Sequence, residues 1–112
     1  WVQQSPQEIW ATQQETISEV CSRVSGDEIL CIGLSNQRET VMAWDRHSGE
    51  PLSPAIVWQC RRTASEMHAL EPRREFLQER TGLLPDPYFS ASKMRWLKQQ
   101  IPGLREKVER GD

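Results

Sequence analysis

The chain has 112 residues, enough for one hydrophobic core and not for several. Hydrophobic residues make up 37% and charged residues 27%, and the net charge of -2 leaves no basic surplus, which argues against nucleic acid as a partner. No apolar run is long enough to span a bilayer and no export signal is visible, so the expectation is a globular cytoplasmic protein with no membrane partner.

Ser5-Pro6-Gln7-Glu8 predicts a helix start: an N-cap serine, a proline at the first helical position and a glutamate placed for a capping box. Ile9, Trp10, Ile17, Val20, Cys21 and Val24 follow as an apolar stripe at helical spacing, and Ser25-Gly26 closes the helix. Ile29 to Leu34 is an almost continuous apolar run, as expected of a strand covered on both faces.

At the exit of that run stands Asn36-Gln37-Arg38-Glu39-Thr40. Open α/β sheets hold their ligand groups at strand exits. Arginine there can only donate hydrogen bonds and ionised glutamate can only accept them, a pair suited to a neutral substrate dense with hydroxyls. A solvated turn with a surface ion pair is the plainer reading of the same five residues.

Thr40 to Trp44 and Pro54 to Trp58 predict an antiparallel pair of strands, joined through a polar turn around Gly49. Arg61 to Leu70 reads as a short helix. Pro72 starts another that stops at Thr81-Gly82. Pro85 and Pro87 require a loop. Ser90 is placed to cap a helix through Gln100, with Met94, Leu97 and Ile101 as its apolar spine, and a charged last turn uses Leu104 and Val108. The class is therefore α/β, a mixed sheet with helices. Too few strands are present to flank the apolar one, so missing sequence is expected to supply its neighbours, and bare edges are expected to favour a homo-oligomer. Three widely spaced cysteines, Cys21, Cys31 and Cys60, offer no metal-binding pattern; Cys21 and Cys31 read as core residues in a reducing compartment.

Five blocks then carry a resemblance: Trp1-Val2-Gln3-Gln4 with Glu8-Ile9-Trp10, Ile32 to Thr40, Trp44-Asp45 with Ser48 to Leu52, Ala55 to Gln59 with Arg61-Arg62-Thr63, and Thr81-Gly82-Leu83 with Asp86 to Ala91 and Lys93. In order and spacing they resemble the N-terminal actin-like domain of the FGGY carbohydrate kinases, and within that family its glycerol-phosphorylating members. The resemblance implies a partial ribonuclease H-like fold, with residues 1–112 lacking the first strands of that domain and the whole C-terminal domain. It implies transfer of the γ-phosphoryl group of ATP, with Mg²⁺, to glycerol or a related polyol or sugar such as xylulose or erythritol. It implies substrate-binding roles for Arg38, Glu39, Trp58 and Tyr88, and no catalytic, metal or cofactor residue in this stretch. Catalysis is expected of the full-length parent only, the piece alone being an inactive, self-associating domain that binds neither ATP nor Mg²⁺. At Cys60 the resemblance leads to an expected aspartate, so the cysteine is read as the loss of a charge and of an N-cap acceptor. Arg61 and Arg62 read as a solvated helix start facing carboxylates.

Overall fold

A computed structural model describes all residues from Trp1 to Asp112. Nine elements follow one another: β1 (Gln3–Gln4), α1 (Pro6–Cys21), a 3₁₀ turn (Gly26–Glu28), β2 (Ala55–Ile56), α2 (Ala64–His68), a second 3₁₀ turn (Glu71–Arg73), α3 (Arg74–Thr81), α4 (Ser90–Gln100) and α5 (Leu104–Arg110). The result is a mixed α/β fold with a short antiparallel sheet and several helices, as the sequence pattern requires.

β2 is the centre of the sheet. β1 lies antiparallel to it, with Gln3 opposite Ile56 and Gln4 opposite Ala55. On its other side Val41 bridges Ile56, the two exchanging backbone bonds of 2.9 and 2.7 Å. The hairpin beyond is closed by a second bridge, Trp44 to Pro51. The expected antiparallel pairing of 40–44 with 54–58 is thus present, reduced to the one bridge between Val41 and Ile56. The pairing of Gln3 and Gln4 was not legible, because two glutamines carry no strand pattern.

The core is small and one-sided. Val41, Ile56, Cys60, Leu97 and Leu104 form it, with Ala43, Leu52, Trp96 and Ile101 packed against it. Only 11 of 112 residues are buried, and the radius of gyration is 18.0 Å, against about 13 Å for a compact domain of this length. The excess comes from the first third of the chain. Helix α1 begins as expected, Ser5 Oγ accepting from the Glu8 backbone N–H at 3.3 Å, yet none of its residues is buried. It ends at Cys21 rather than at Ser25-Gly26. Ser25 instead opens the 3₁₀ turn with a capping box to Glu28.

Ile29 to Leu34 forms no strand: Leu30, Ile32 and Leu34 are 94, 83 and 96% exposed. A strand exists only where a neighbour completes its ladder, and no segment of these 112 residues pairs with it. The same geometry overturns the assignment of Cys21 and Cys31 to the core, since both are exposed. No helix is long and apolar enough to cross a membrane.

The second half follows the pattern more closely. The helix expected over 61–70 contracts to α2, and α3 ends on Gly82 at φ 73°, a left-handed conformation that glycine adopts without a Cβ clash. The buried face of α4 is Ser92, Lys93 and Leu97, whereas Met94 of the expected spine is exposed. Arg62 lies between the rings of Trp1 and Trp96, 4.4 and 4.8 Å from their centroids. Its Nε donates to the buried sulfur of Cys60 at 3.0 Å, and the Val2 N–H approaches the same sulfur at 3.5 Å. The sulfur thus binds the Arg62 side chain and the N-terminal strand and caps no helix: the next one has Thr63 at its cap position and no side-chain cap bond. Burial pushes that thiol up, but these donors together hold it below its ordinary value.

Candidate functional site

Three short turns and one helix end carry the candidate residues. The first turn is Gln37 to Thr40, closed by Thr40 N–H to the Gln37 carbonyl at 3.4 Å and by Thr40 Oγ1 to Gln37 Oε1 at 2.5 Å. Arg38 and Glu39 are its two central residues. Glu39 has φ 62° and is the one non-glycine residue with positive φ. Such a conformation costs an L-residue about 1–3 kcal/mol and persists only where its surroundings hold it.

The surroundings are the start of α4. Glu39 Oε2 accepts from the Ser90 backbone N–H at 2.7 Å and from the Ser90 hydroxyl at 2.6 Å. The carboxylate therefore satisfies a free N–H in the first turn of α4, where a negative charge is also favoured by the helix dipole. Ser90 itself was expected to be the cap. The structure makes it the first helical residue, with Phe89 at the cap position and no side-chain cap bond of its own. Chiefly because the Ser90 hydroxyl donates to it, and despite partial burial, the Glu39 carboxyl titrates below its ordinary value.

Lys93, one turn along α4, is fully buried. Its Nζ donates to the carbonyl of Glu39 and to the carbonyl of Tyr88, each at 2.6 Å. Tyr88 sits in the turn Asp86 to Phe89, where Pro87 presets the backbone and Asp86 Oδ1 accepts from the Tyr88 N–H at 2.7 Å. Arg61 donates to that same Asp86 oxygen at 2.9 Å, so one of the two arginines does face a carboxylate.

Trp58 occupies the turn from Val57 to Cys60 immediately beyond β2, closed at 2.9 Å. Its ring meets that of Tyr88 edge-on, centroids 6.0 Å apart, and Tyr88 in turn meets Phe89 at 5.2 Å. Trp58 is 40% exposed, an apolar wall open on one side. Arg38 is exposed and forms no hydrogen bond or ion pair within the chain. No ion pair joins Arg38 to Glu39, whose Oε2 binds Ser90.

Three of the four residues singled out from sequence are thus linked: Glu39 to Tyr88 through Lys93, and Tyr88 to Trp58 through their rings. Arg38 is joined to them by its peptide bond to Glu39. Ser90 had been expected only as a helix cap, and Lys93 had been given no task. One signal was available for Lys93: it stands four residues before Leu97, on the buried face of an amphipathic helix, where a lysine needs a polar reason to be.

No three His, Cys, Asp or Glu side chains converge in a way that could hold a metal ion. A separate hollow of about 270 Å³ between α2, α3 and α4 is walled by Met67, Leu70, Leu77, Leu84 and Phe89. Its lining includes none of Arg38, Glu39, Trp58 and Tyr88 and is mostly apolar.

The sequence matches the model of the FGGY family of carbohydrate kinases, N-terminal domain, over residues 1–110. The chain belongs to that family. This FGGY chain is 47% identical over 116 aligned positions to a glycerol kinase of Haemophilus influenzae and 46% identical to glycerol kinase 2 of Pseudomonas aeruginosa. Each alignment takes in 100% of the chain and 23% of the relative, so the chain spans about a quarter of the length of the curated relatives it matches. In structure it resembles a glycerol kinase of Plasmodium falciparum crystallised with ADP, at TM-score 0.83 and 34% identity, over 99% of this chain and 23% of that one. A xylulose kinase from Brucella ovis is similar at TM-score 0.69 and 26% identity, over 89% of this chain and 21% of that one.

Proposed function

We propose that the full-length protein carrying this FGGY chain phosphorylates glycerol to glycerol 3-phosphate, and that Arg38, Glu39, Trp58 and Tyr88 form part of its polyol site. The observation that carries this reading is the disposition of Arg38 and Glu39: a guanidinium with no partner in the chain, next to a carboxylate whose one oxygen is fixed and whose other, Oε1, has no bond within it. Arg38 can donate to two hydroxyl oxygens while Glu39 Oε1 accepts from a hydroxyl hydrogen. Trp58 lies against the carbon face, and the Tyr88 phenol completes the ring of polar partners. Once a bound substrate covers them, partners of this kind reject one that lacks a hydroxyl, because a donor or acceptor is then left unpaired.

The contribution of these residues is orientation: they hold a hydroxyl where a phosphoryl donor can reach it. ATP, with Mg²⁺, is the proposed donor, bound by parts of the protein outside residues 1–112. Glycerol is favoured over a ketopentose because the likeness to glycerol kinases is stronger in both sequence and backbone than that to the xylulose kinase.

The test is ADP release by the full-length protein with glycerol, D-xylulose, erythritol and L-ribulose side by side. The expected result is preference for glycerol. A turnover about tenfold higher on a ketopentose overturns the substrate and leaves the kinase class in place.

A second reading concerns the 112-residue chain by itself. The exposed Leu30, Ile32 and Leu34, together with an α1 that buries nothing, favour self-association over catalysis.

A further inference from the structure

We propose that the first turn of α4 is the positioning element of the polyol site, Lys93 and Ser90 fixing how far Glu39 stands from Tyr88. The inference rests on the substrate-site reading above. It starts from a cost. A fully buried ammonium loses its hydration, and burial draws the Lys93 pKa down, with the charge of Glu39 opposing that shift. No carboxylate lies within ion-pair distance of Nζ; its bonded partners are two backbone carbonyls. A leucine or methionine would fill comparable space without that cost, so packing does not account for a lysine here.

What the ammonium does, and an apolar side chain cannot, is join two turns. The carbonyls of Glu39 and Tyr88 belong to residues 49 positions apart in sequence, and no direct hydrogen bond between the two residues ties them. Both bonds to Nζ are short, at 2.6 Å, and charge-assisted. Ser90 adds the second constraint, because its N–H and its hydroxyl both bind Oε2 and so leave Oε1 as the oxygen free for a ligand. A left-handed Glu39 needs such support to keep its side chain aimed in one direction. A substrate spanning Glu39 and Tyr88 is therefore measured against a gap set by α4, although neither Ser90 nor Lys93 is required to touch it.

The experiment uses the full-length protein and whichever polyol or sugar the unaltered enzyme turns over best, so a wrong substrate assignment does not spoil it. Lys93→Met and Ser90→Ala are each assayed for KM of that substrate, KM of ATP, kcat and melting temperature. The expected result is a substrate KM raised by about tenfold or more in Lys93→Met and about threefold or more in Ser90→Ala, with the ATP KM unchanged within about twofold. A merely structural role would lower the melting temperature and the active fraction and leave both KM values alone. Ser90→Ala replaces one small side chain by another at a partly exposed site, so it decides the matter if Lys93→Met does not fold. An unchanged substrate KM in Ser90→Ala or in folded Lys93→Met, or equal rises in both KM values, overturns the proposal.

Discussion

Glu39 and Ser90, 51 residues apart in sequence, meet through one carboxylate oxygen that takes both the N–H and the hydroxyl of the serine. The same side chain is therefore a helix cap and a candidate ligand group. Glu39→Gln keeps the shape but removes the charge that favours a helix N-terminus. The expected outcome is a loss of about 1–2 kcal/mol in stability and a polyol KM raised by about tenfold or more, read by thermal unfolding and steady-state kinetics on the full-length protein.

Arg38 separates the two effects. Its guanidinium bonds to nothing in the chain, so Arg38→Ala is expected to leave stability within about 0.5 kcal/mol while raising the polyol KM by about ten- to a hundredfold. A melting temperature that falls with no change in KM would place Arg38 in the scaffold and out of the site.

The acid limb of stability is set in part by Glu39. Its folded pKa lies below its ordinary value of 4.5, chiefly through the Ser90 hydroxyl. A carboxyl lowered on folding contributes stability that is complete above its unfolded pKa and lost as pH falls through its folded pKa. Asp45 acts in the same direction, held well below the usual carboxylate range first by Lys107 and then by the Ser48 and His47 N–H groups. Melting temperature is therefore expected to be flat above about pH 5 and to fall below it. In Ser90→Ala the contribution of Glu39 should be smaller and its loss should finish at a higher pH. An acid limb unmoved by that substitution would contradict the pairing of Glu39 with Ser90.

Tyr88→Phe preserves the edge contacts to Trp58 and Phe89 and removes only the phenol. Stability should change little, and discrimination between glycerol and a polyol lacking one hydroxyl should weaken, measured as the ratio of their kcat/KM values. Trp58→Ala, by contrast, should raise KM for both alike, since it removes an apolar wall and no hydrogen bond.

Thiol reactivity tests the fold of the 112-residue chain directly. Cys21 and Cys31 are exposed and Cys60 is buried beneath Arg62 and Val2. Two thiols are expected to react promptly with a disulfide reagent under native conditions and the third only on unfolding. Rapid reaction of all three would remove Cys60 from the core. Light scattering on the same sample should show a mass that rises with concentration, and Ile32→Lys should reduce it.

The sequence by itself determined where the helices stand and which family the chain belongs to. Ser5-Pro6, Pro72, Gly82 and Pro102-Gly103 are local signals, each acting through its own backbone, so α1, α3 and α4 begin or end near where those residues stand. The blocks around Arg38, Trp58 and Tyr88 carried the family. Tertiary structure decided whatever needed a distant partner. Ile29 to Leu34 has the composition of an interior strand, but a strand is a property of a ladder, and with no neighbour it forms none and stays exposed. Ser90 has the composition of a cap, but Glu39, arriving from another turn, takes that role and leaves the serine as a donor. For Lys93 only the folded chain shows the side chain enclosed between two carbonyls, because that enclosure depends on where the turns at Glu39 and Tyr88 meet.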